Sequence, residues 1–322
     1  MIMWSVGILP VCTPYRAGVG YDCLFLGASV QNVQQKDMKT APHLCYLLTP
    51  SCRSRATENV QMAMANTQIL QALVNSAWRA NTTIQNNPSN PLHPTIIKGS
   101  IPILWFGDLD AYEHSELRVV TVGINPSRME FGKKVNSTYV VNPTLRFPSL
   151  GSAVPSFSNY SAAMAQYFSN NPLKAWFWPN EAALNAYGSS YGGKMSPVSG
   201  TEIIGTGLHI DVVAPIATVP WGKLKPVEQN GLSNLFQSYF NQLVAALDPH
   251  VLIVPIKMGN YQNFNVPCSI TCTRTIRLKS RMVTVNKQQC VIGGKPRLLI
   301  NGWNGSTPFP FADRQTIFSA VK

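Results

Sequence analysis

The sequence predicts an α/β fold: a three-layer α/β/α sandwich around a central, mostly parallel sheet. Three observations predict it. Residues 117–122, 208–213 and 251–256 are short apolar runs bounded by turn residues, the pattern of strands covered on both faces. Between the last two lies a clear amphipathic segment, in which Leu232, Leu235, Phe236, Tyr239, Leu243, Val244 and Leu247 keep a helical spacing. Strand and helix patterns alternate through the second half of the chain, as they do in βαβ units.

The elements follow in chain order. Residues 1–55 are irregular, with scattered Cys, Pro and Gly, and read as an N-terminal extension to a domain over residues 56–322. Residues 57–78 are helical in spacing through Val60, Met64, Leu70, Leu73, Val74, Ala77 and Trp78. An Asn- and Pro-rich linker occupies 81–94. The apolar run 101–106 and a short acidic stretch precede the strand at 117–122. Two helices, 158–167 and 176–187, are separated by Asn171-Pro172, and a Gly/Ser loop at 188–200 leads to the strand at 208–213. The 232–247 helix stops at Asp248-Pro249, before the strand at 251–256. Residues 297–301 form the last strand.

Composition narrows the function. Apolar residues make up 45% of the 322, enough for a core and against global disorder. Charged residues are only 12%, yet 26 Lys and Arg face 14 Asp and Glu, a net charge of +12. Such a balance suits a polyanionic partner, the plain alternative being a basic protein that merely needs solubility. Ten bases fall in residues 251–322 against Asp313 alone, a net +9. Seven of the ten lie between Arg274 and Arg297 with no acid among them. A solvated face mixes both signs, so this run points to phosphate contact. No apolar run approaches the ~18 residues of a membrane span. The first Arg is Arg16 and no basic leader precedes an apolar stretch, so a cytoplasmic protein without membrane association is expected. The 7 cysteines, an odd number, read as reduced thiols. Cys268, Cys272 and Cys290 could hold three corners of a metal site, but no fourth ligand has zinc-like spacing, and no metal is expected.

One strand end carries the chemistry. Residues 117–122 run into Gly123-Ile-Asn-Pro-Ser127, where a glycine admits a close ligand and Pro126 fixes the turn. Ligands of open α/β sheets bind at the carboxyl ends of strands. Asn125 projects there, and a loop that simply turns a corner is the bland alternative. His209 and Asp211 alternate on another strand, so their side chains point the same way. An Asp inside an apolar strand needs a reason, either acid/base chemistry or capping of a neighbouring loop. Glu130 either lines a pocket or caps the helix after Ser127. Lys223 is read as a phosphate contact rather than a Schiff-base former.

The string Val120-Thr-Val-Gly-Ile-Asn-Pro-Ser-Arg-Met-Glu-Phe131 resembles the first motif of the uracil-DNA glycosylase superfamily. It is closest to the mismatch-type branch, which has Gly-Ile-Asn-Pro where others carry an Asp. The resemblance continues through Arg146-Phe-Pro148, Trp176-Phe177, Glu181 and Leu184-Asn-Ala-Tyr-Gly188. It extends over His209-Ile-Asp-Val-Val-Ala-Pro-Ile-Ala-Thr-Val-Pro-Trp221 and ends at Asn301-Gly-Trp-Asn-Gly-Ser306. It covers roughly residues 100–310 and leaves the first ~95 without a counterpart. The last motif lacks the His-Pro-Ser of uracil-specific members.

The resemblance implies a monofunctional DNA glycosylase, acting as a monomer on double-stranded DNA without metal or other cofactor. Asn125 would orient the attacking water, and the backbone after Gly123, with Ile124 and Pro126, would stabilise the leaving base. His209 and Asp211 complete the implied catalytic set. Phe131 and Phe147 are candidates for stacking on an extruded base, against the alternative of core phenylalanines. Lys257, Arg274, Arg277, Lys279 and Arg281 would grip the DNA backbone, with Trp303, Asn304 and Ser306 at the duplex. Where uracil-specific relatives carry an aromatic residue that blocks bulk at the pyrimidine 5-position, Ser127 is small. A 5-modified cytosine in foreign DNA is therefore the expected target, since the superfamily includes members that attack hypermodified phage bases. Uracil or mismatched-thymine repair is the alternative, as is a DNA-binding relative that has lost catalysis. A cytosolic enzyme on free nucleotides is a third reading, but it leaves the +9 stretch unexplained. Asn125, as a polar loop residue, is expected to add little to packing.

Overall fold

The computed structural model describes residues 50–195, 204–255, 267–277, 282–292, 294–302 and 311–322. The chain divides into two units, Met1–Glu58 and Asn59–Lys322. Of the first, residues 50–58 are described, and they are helical. The irregular extension expected over 1–55 thus gives way to helix from Pro50, and residues 1–49 lie outside the described residues.

The second unit begins within helix α1 (Pro50–Asn86), followed by α2 (Leu109–Glu113) and strand β1 (Val119–Gly123). A hairpin, β2 (Gly132–Val135) and β3 (Thr138–Val141), turns through Asn136 and Ser137, both with positive φ, the geometry of a two-residue type I′ turn. Helices α3 (Phe157–Ala165), α4 (Tyr167–Asn170) and α5 (Lys174–Ala186) lead to β4 (Gly207–Asp211). Then come α6 (Pro226–Leu235), α7 (Tyr239–Leu247) and β5 (Val251–Ile253). Strands β6 (Cys268–Arg277), β7 (Met282–Ile292) and β8 (Lys295–Asn301) precede α8 (Phe311–Ser319).

The main sheet has 6 strands in the order β4-β1-β5-β8-β7-β6. Its first three pairings are parallel and its last two antiparallel, so the fold is α/β with a mostly parallel sheet. The expected apolar strands are β1, β4 and β5. Every residue of β1 and β5 is buried, which is why their sequences read as continuous apolar runs. β6 and β7 escaped that reading because β6 is an outer strand and almost wholly exposed.

Two helical expectations change. The supposed linker at 81–94 is helical as far as Asn86. Asn81 is buried there and donates from its side-chain amide to the Ser100 carbonyl at 2.7 Å, so the Asn tells of a tertiary bond rather than a loop. The single helix expected over 232–247 is two, α6 and α7, broken at 236–238. Both halves turn apolar residues inward, so the spacing ran through the break unmarked.

Cysteine chemistry is also corrected. Cys268 and Cys290 face each other across β6 and β7 and form a disulfide, so two of the seven are not free thiols. That bond removes two corners of the three-cysteine arrangement. No helix among the described residues is long and apolar enough to cross a membrane.

The basic C-terminal run is in part structural. Asp248 ends α7 in the left-handed region, at φ 48°. Its carboxylate meets Arg118 at 3.0 Å, Lys295 at 3.1 Å and the buried Arg297 at 2.5 Å. Arg297 also donates to the Pro249 carbonyl at 2.7 Å. Arg314 is buried as well. Arg118, Lys295 and Arg297 thus join the α7–β5–β8 junction through Asp248, and the buried Arg297 does not offer itself to phosphate.

Asp248→Asn keeps the side-chain shape and tolerates the left-handed backbone, but leaves Arg297 without its countercharge. Urea unfolding near pH 7 should show a loss on the order of 2–3 kcal/mol. Burial alone would raise this carboxyl, but Arg297 and Lys295 outweigh it and hold it below its ordinary value. The contribution is therefore present above the unfolded value near ~3.9 and is lost as pH falls through the folded one. The difference between wild type and variant should shrink below about pH 4. A difference that stays constant into acid would show that the charge is not its source.

Candidate functional site

Parallel pairing of β1 with β4 sets Thr121 beside His209 and Gly123 beside Asp211. At the carboxyl ends of these strands lies a cavity of about 390 Å³. Its lining comes from residues 124–130, Phe106, Lys134, Trp176, Phe177, His209, Asp211 and residues 218–221. The sheet continues to β4 on one side of β1 and to β5 on the other, the crevice in which doubly wound folds bind ligands.

Gly123 closes β1 for a steric reason. A Cβ there would sit 2.3 Å from Asp211 Oδ1 and 2.8 Å from His209 Nε2, so only glycine lets both side chains cross the strand end. His209 is buried, with Nδ1 2.8 Å from Thr121 Oγ1 and Nε2 3.6 Å from Asp211 Oδ1. Thr121 also bonds the Tyr191 hydroxyl. Tyr191, Thr121 and His209 Nδ1 form one hydrogen-bonded chain, the Thr121 hydroxyl also reaching the Leu208 carbonyl at 3.4 Å, and Nε2 faces Asp211. Burial raises the Asp211 carboxyl above its ordinary value, against the pull of His209. Buried Glu181 steadies the far end, accepting from Ser190 Oγ, from the Tyr191 amide at 2.9 Å and from Asn185 at 2.9 Å.

Asn125 is half-buried on the loop after β1. Its amide nitrogen lies 3.2 Å from the Pro126 carbonyl, 3.3 Å from the Ile216 carbonyl and 3.0 Å from Thr218 Oγ1. Thr218 in turn donates to the Val219 carbonyl at 2.7 Å, so it can only accept from Asn125. Carbonyl partners require the NH₂ end on that side, which settles the amide orientation. Oδ1 is left as the cavity's acceptor, with no donor to it among the described residues. Asn125 also joins two loops, which corrects the expectation that it adds little to packing.

Ser127 caps the short turn over residues 128–131, accepting from the Met129 amide at 3.1 Å. Glu130 therefore does not cap. Its side chain, 2% exposed, lies 3.3 Å from Arg146 Nε and accepts from the Tyr167 hydroxyl at 2.7 Å. Burial pushes its carboxyl up to about 7, with Asp211 adding to the rise and Arg146 and Tyr167 opposing it. Two carboxylates thus line the cavity, while Arg128, over the Tyr139 ring at 4.8 Å, and exposed Lys134 supply cations to the same lining.

Phe131 and Phe147 do not line the cavity. Both are buried in the aromatic core, Phe147 stacked on Tyr167 at 5.5 Å between centroids. Phe147 braces Phe106, which does reach the wall, and Phe131 packs against Phe147. The accessible aromatic surfaces are Trp176 and Trp221, both half-buried in the lining. Ile124, Pro126 and Ser127 line the cavity, and Lys223 does not. Tyr167, Thr121 and Tyr191 escaped the sequence reading because nothing local marks them: their partners lie 37 to 88 residues away.

Arg274 and Arg277 are exposed on β6, four strand spacings from β1, or roughly 20 Å. The cavity and these bases are separate parts of one sheet. Lys257, Lys279, Arg281, Trp303, Asn304 and Ser306 lie outside the described residues. Among the described residues no group of three or more His, Cys, Asp or Glu could hold a metal ion. No family model and no curated protein matches the chain.

The Glu130 carboxyl has a consequence for stability. Between about pH 4.5 and 7 the folded protein keeps a proton that the unfolded chain has lost, so stability falls as pH rises through that window. Glu130→Gln should flatten the fall, removing on the order of 3 kcal/mol of pH dependence in paired chemical melts. An identical slope in both proteins would contradict the raised carboxyl.

Proposed function

We propose that this protein is a monofunctional DNA glycosylase of the uracil-DNA glycosylase type, built as a three-layer α/β/α sandwich and acting as a monomer in the cytoplasm. Its target is a non-canonical pyrimidine extruded from duplex DNA, foremost a 5-modified cytosine in foreign DNA. The observation that carries the reading is Asn125: an amide held at the strand end by three bonds from nitrogen, with its oxygen turned to the cavity. Cleaving an N-glycosidic bond builds positive charge on the sugar and negative charge on the departing base. Oδ1 can accept a proton of water and hold that water for attack on the sugar carbon. Asp211, on the same cavity wall, supplies a carboxylate to the developing positive charge, and Trp176 or Trp221 offers a face for the base. Arg128 and Lys134 are the local phosphate contacts, and Arg274 and Arg277 extend them along the duplex.

The test is Asn125→Ala. Loss of three hydrogen bonds should cost about 1–2 kcal/mol in unfolding. Single-turnover formation of alkali-labile sites should slow by 10²-fold to 10⁴-fold, on the order expected of a lost catalytic positioning group. Duplex affinity should stay within about twofold, because Asn125 carries no charge to phosphate. The substrates are duplexes with uracil, mismatched thymine, 5-hydroxymethylcytosine and its glucosylated form. Release of uracil alone would make this a repair enzyme, and tight binding without release would make it a DNA-binding relative. A folded Asn125→Ala protein with near-normal turnover ends the assignment.

A further inference from the structure

Besides Asn125 Oδ1, the cavity presents an open acceptor on Glu130. Glu130 Oε2 accepts from the Tyr167 hydroxyl at 2.7 Å and lies 3.3 Å from the Arg146 guanidinium, whose Nε–H is donated to the Met129 carbonyl at 3.2 Å. Tyr167 itself accepts from the Leu173 amide at 2.9 Å, so its own proton is committed to Oε2. No described donor reaches Oε1, although the Glu130 side chain is 2% exposed and lines the cavity. Oε1 is not among the fully enclosed atoms that lack a partner, so it opens on the cavity, where a donor on a ligand can reach it.

We propose that Glu130 Oε1 is the specificity element of this cavity, accepting the exocyclic amino group of a cytosine-type base and thereby favouring 4-amino over 4-oxo pyrimidines. The inference rests on the reading of the cavity as the seat of an extruded base. A carboxylate pairs with the N4 amino group of cytosine, whereas uracil and thymine turn an oxygen to the same place and meet it with repulsion. Arg146 and Tyr167 fix the carboxylate plane, so the acceptor cannot swing away from a base that mismatches it.

The arrangement also makes the preference respond to pH. The Tyr167 donor and the Arg146 charge both lie at Oε2, so a proton that joins Glu130 settles on Oε1 and turns the acceptor into a donor. A 4-oxo base is then the better fit. The carboxyl is placed near the turnover point by burial and by Asp211, against Arg146 and Tyr167. His209, Arg128 and Lys134 are the other titratable or charged groups of the lining. Above about pH 7 the cavity should choose the amino base, and toward about pH 6 the choice should weaken.

The experiment compares equilibrium binding of the full chain to two duplexes, one bearing 2′-fluoro-2′-deoxycytidine and the other 2′-fluoro-2′-deoxyuridine, each opposite thymine. The fluorine resists cleavage, so binding is read without turnover. The cost of extruding each base belongs to the DNA and cancels between protein variants. The cytidine-to-uridine affinity ratio of the wild type should exceed that of Glu130→Gln by about tenfold near pH 8, the size of one hydrogen bond to a charged acceptor. The excess should shrink toward about pH 6, and the variant's own ratio should not move with pH. Tyr167→Phe should keep a preference for cytidine, because Oε1 remains. A ratio equal in wild type and Glu130→Gln overturns the proposal. Abasic sites absent from natural-sugar duplexes, with the ratio intact, overturn the glycosylase reading alone. Failure to bind either duplex overturns both.

Discussion

The site exists because β1 and β4 lie parallel in one particular register. Thr121 stands beside His209 and Gly123 beside Asp211, so a hydroxyl supports the imidazole and an absent Cβ leaves room for the carboxylate. A slip of one residue would turn His209 and Asp211 to the other face of the sheet and bring a side chain into their space. The core enforces the register from both sides, since β1 is buried along its whole length. Glu181 and Tyr191 then tie the loop before β4 to the centre of β1. The geometry of the cavity and the packing of the sheet are here the same constraint.

Burying Glu130 and Asp211 in one cavity is costly, and the fold compensates for the two differently. Glu130 keeps a guanidinium and a phenol, while Asp211 has only the edge of an imidazole. Burial raises both carboxyls, and the Asp211 charge adds to the rise of Glu130, because two like charges in a poorly solvated space resist ionising together. Such unrelieved tension between titratable groups is more common where chemistry or recognition occurs than in a core that serves stability alone. Asp248 shows the contrast: also acidic, but met by Arg118, Lys295 and Arg297, it is held below its ordinary value and stabilises a junction.

Much of this architecture is legible in the sequence, and the reasons for the rest are physical. Central strands such as β1 and β5 announce themselves because both faces must be apolar. β6 does not, since an exposed outer strand reads as a polar, basic run. That same run misleads on charge: Arg297 and Lys295 look like neighbours of Arg274 and Arg277 but pair with Asp248, Arg297 from within the fold and Lys295 from the surface. At the site, Asn125, Glu130 and Asp211 stand out as polar residues in apolar surroundings. Phe131 and Phe147 could not be told from stacking residues, because a phenylalanine beside a ligand and one behind the wall have the same local sequence. Tyr167 and Tyr191 are invisible for the converse reason: the bonds that bring their hydroxyls to the site reach Glu130 and Thr121, 37 and 70 residues away.

The sheet joins two kinds of wiring, and this bears on how the chain reaches its folded state. Strands β6, β7 and β8 are consecutive and pair antiparallel, so their ladders close short loops. The β1–β4 ladder joins Val119 to Gly207, 88 positions on, and β1–β5 joins Val119 to Val251. Loop entropy sets local hairpins early and crossover ladders late. The meander can serve as a template whose inner strand, β8, receives β5, then β1, then β4. The cavity is then completed by the last strand to arrive, and a chain arrested short of that step would carry an ordered basic hairpin without a working pocket.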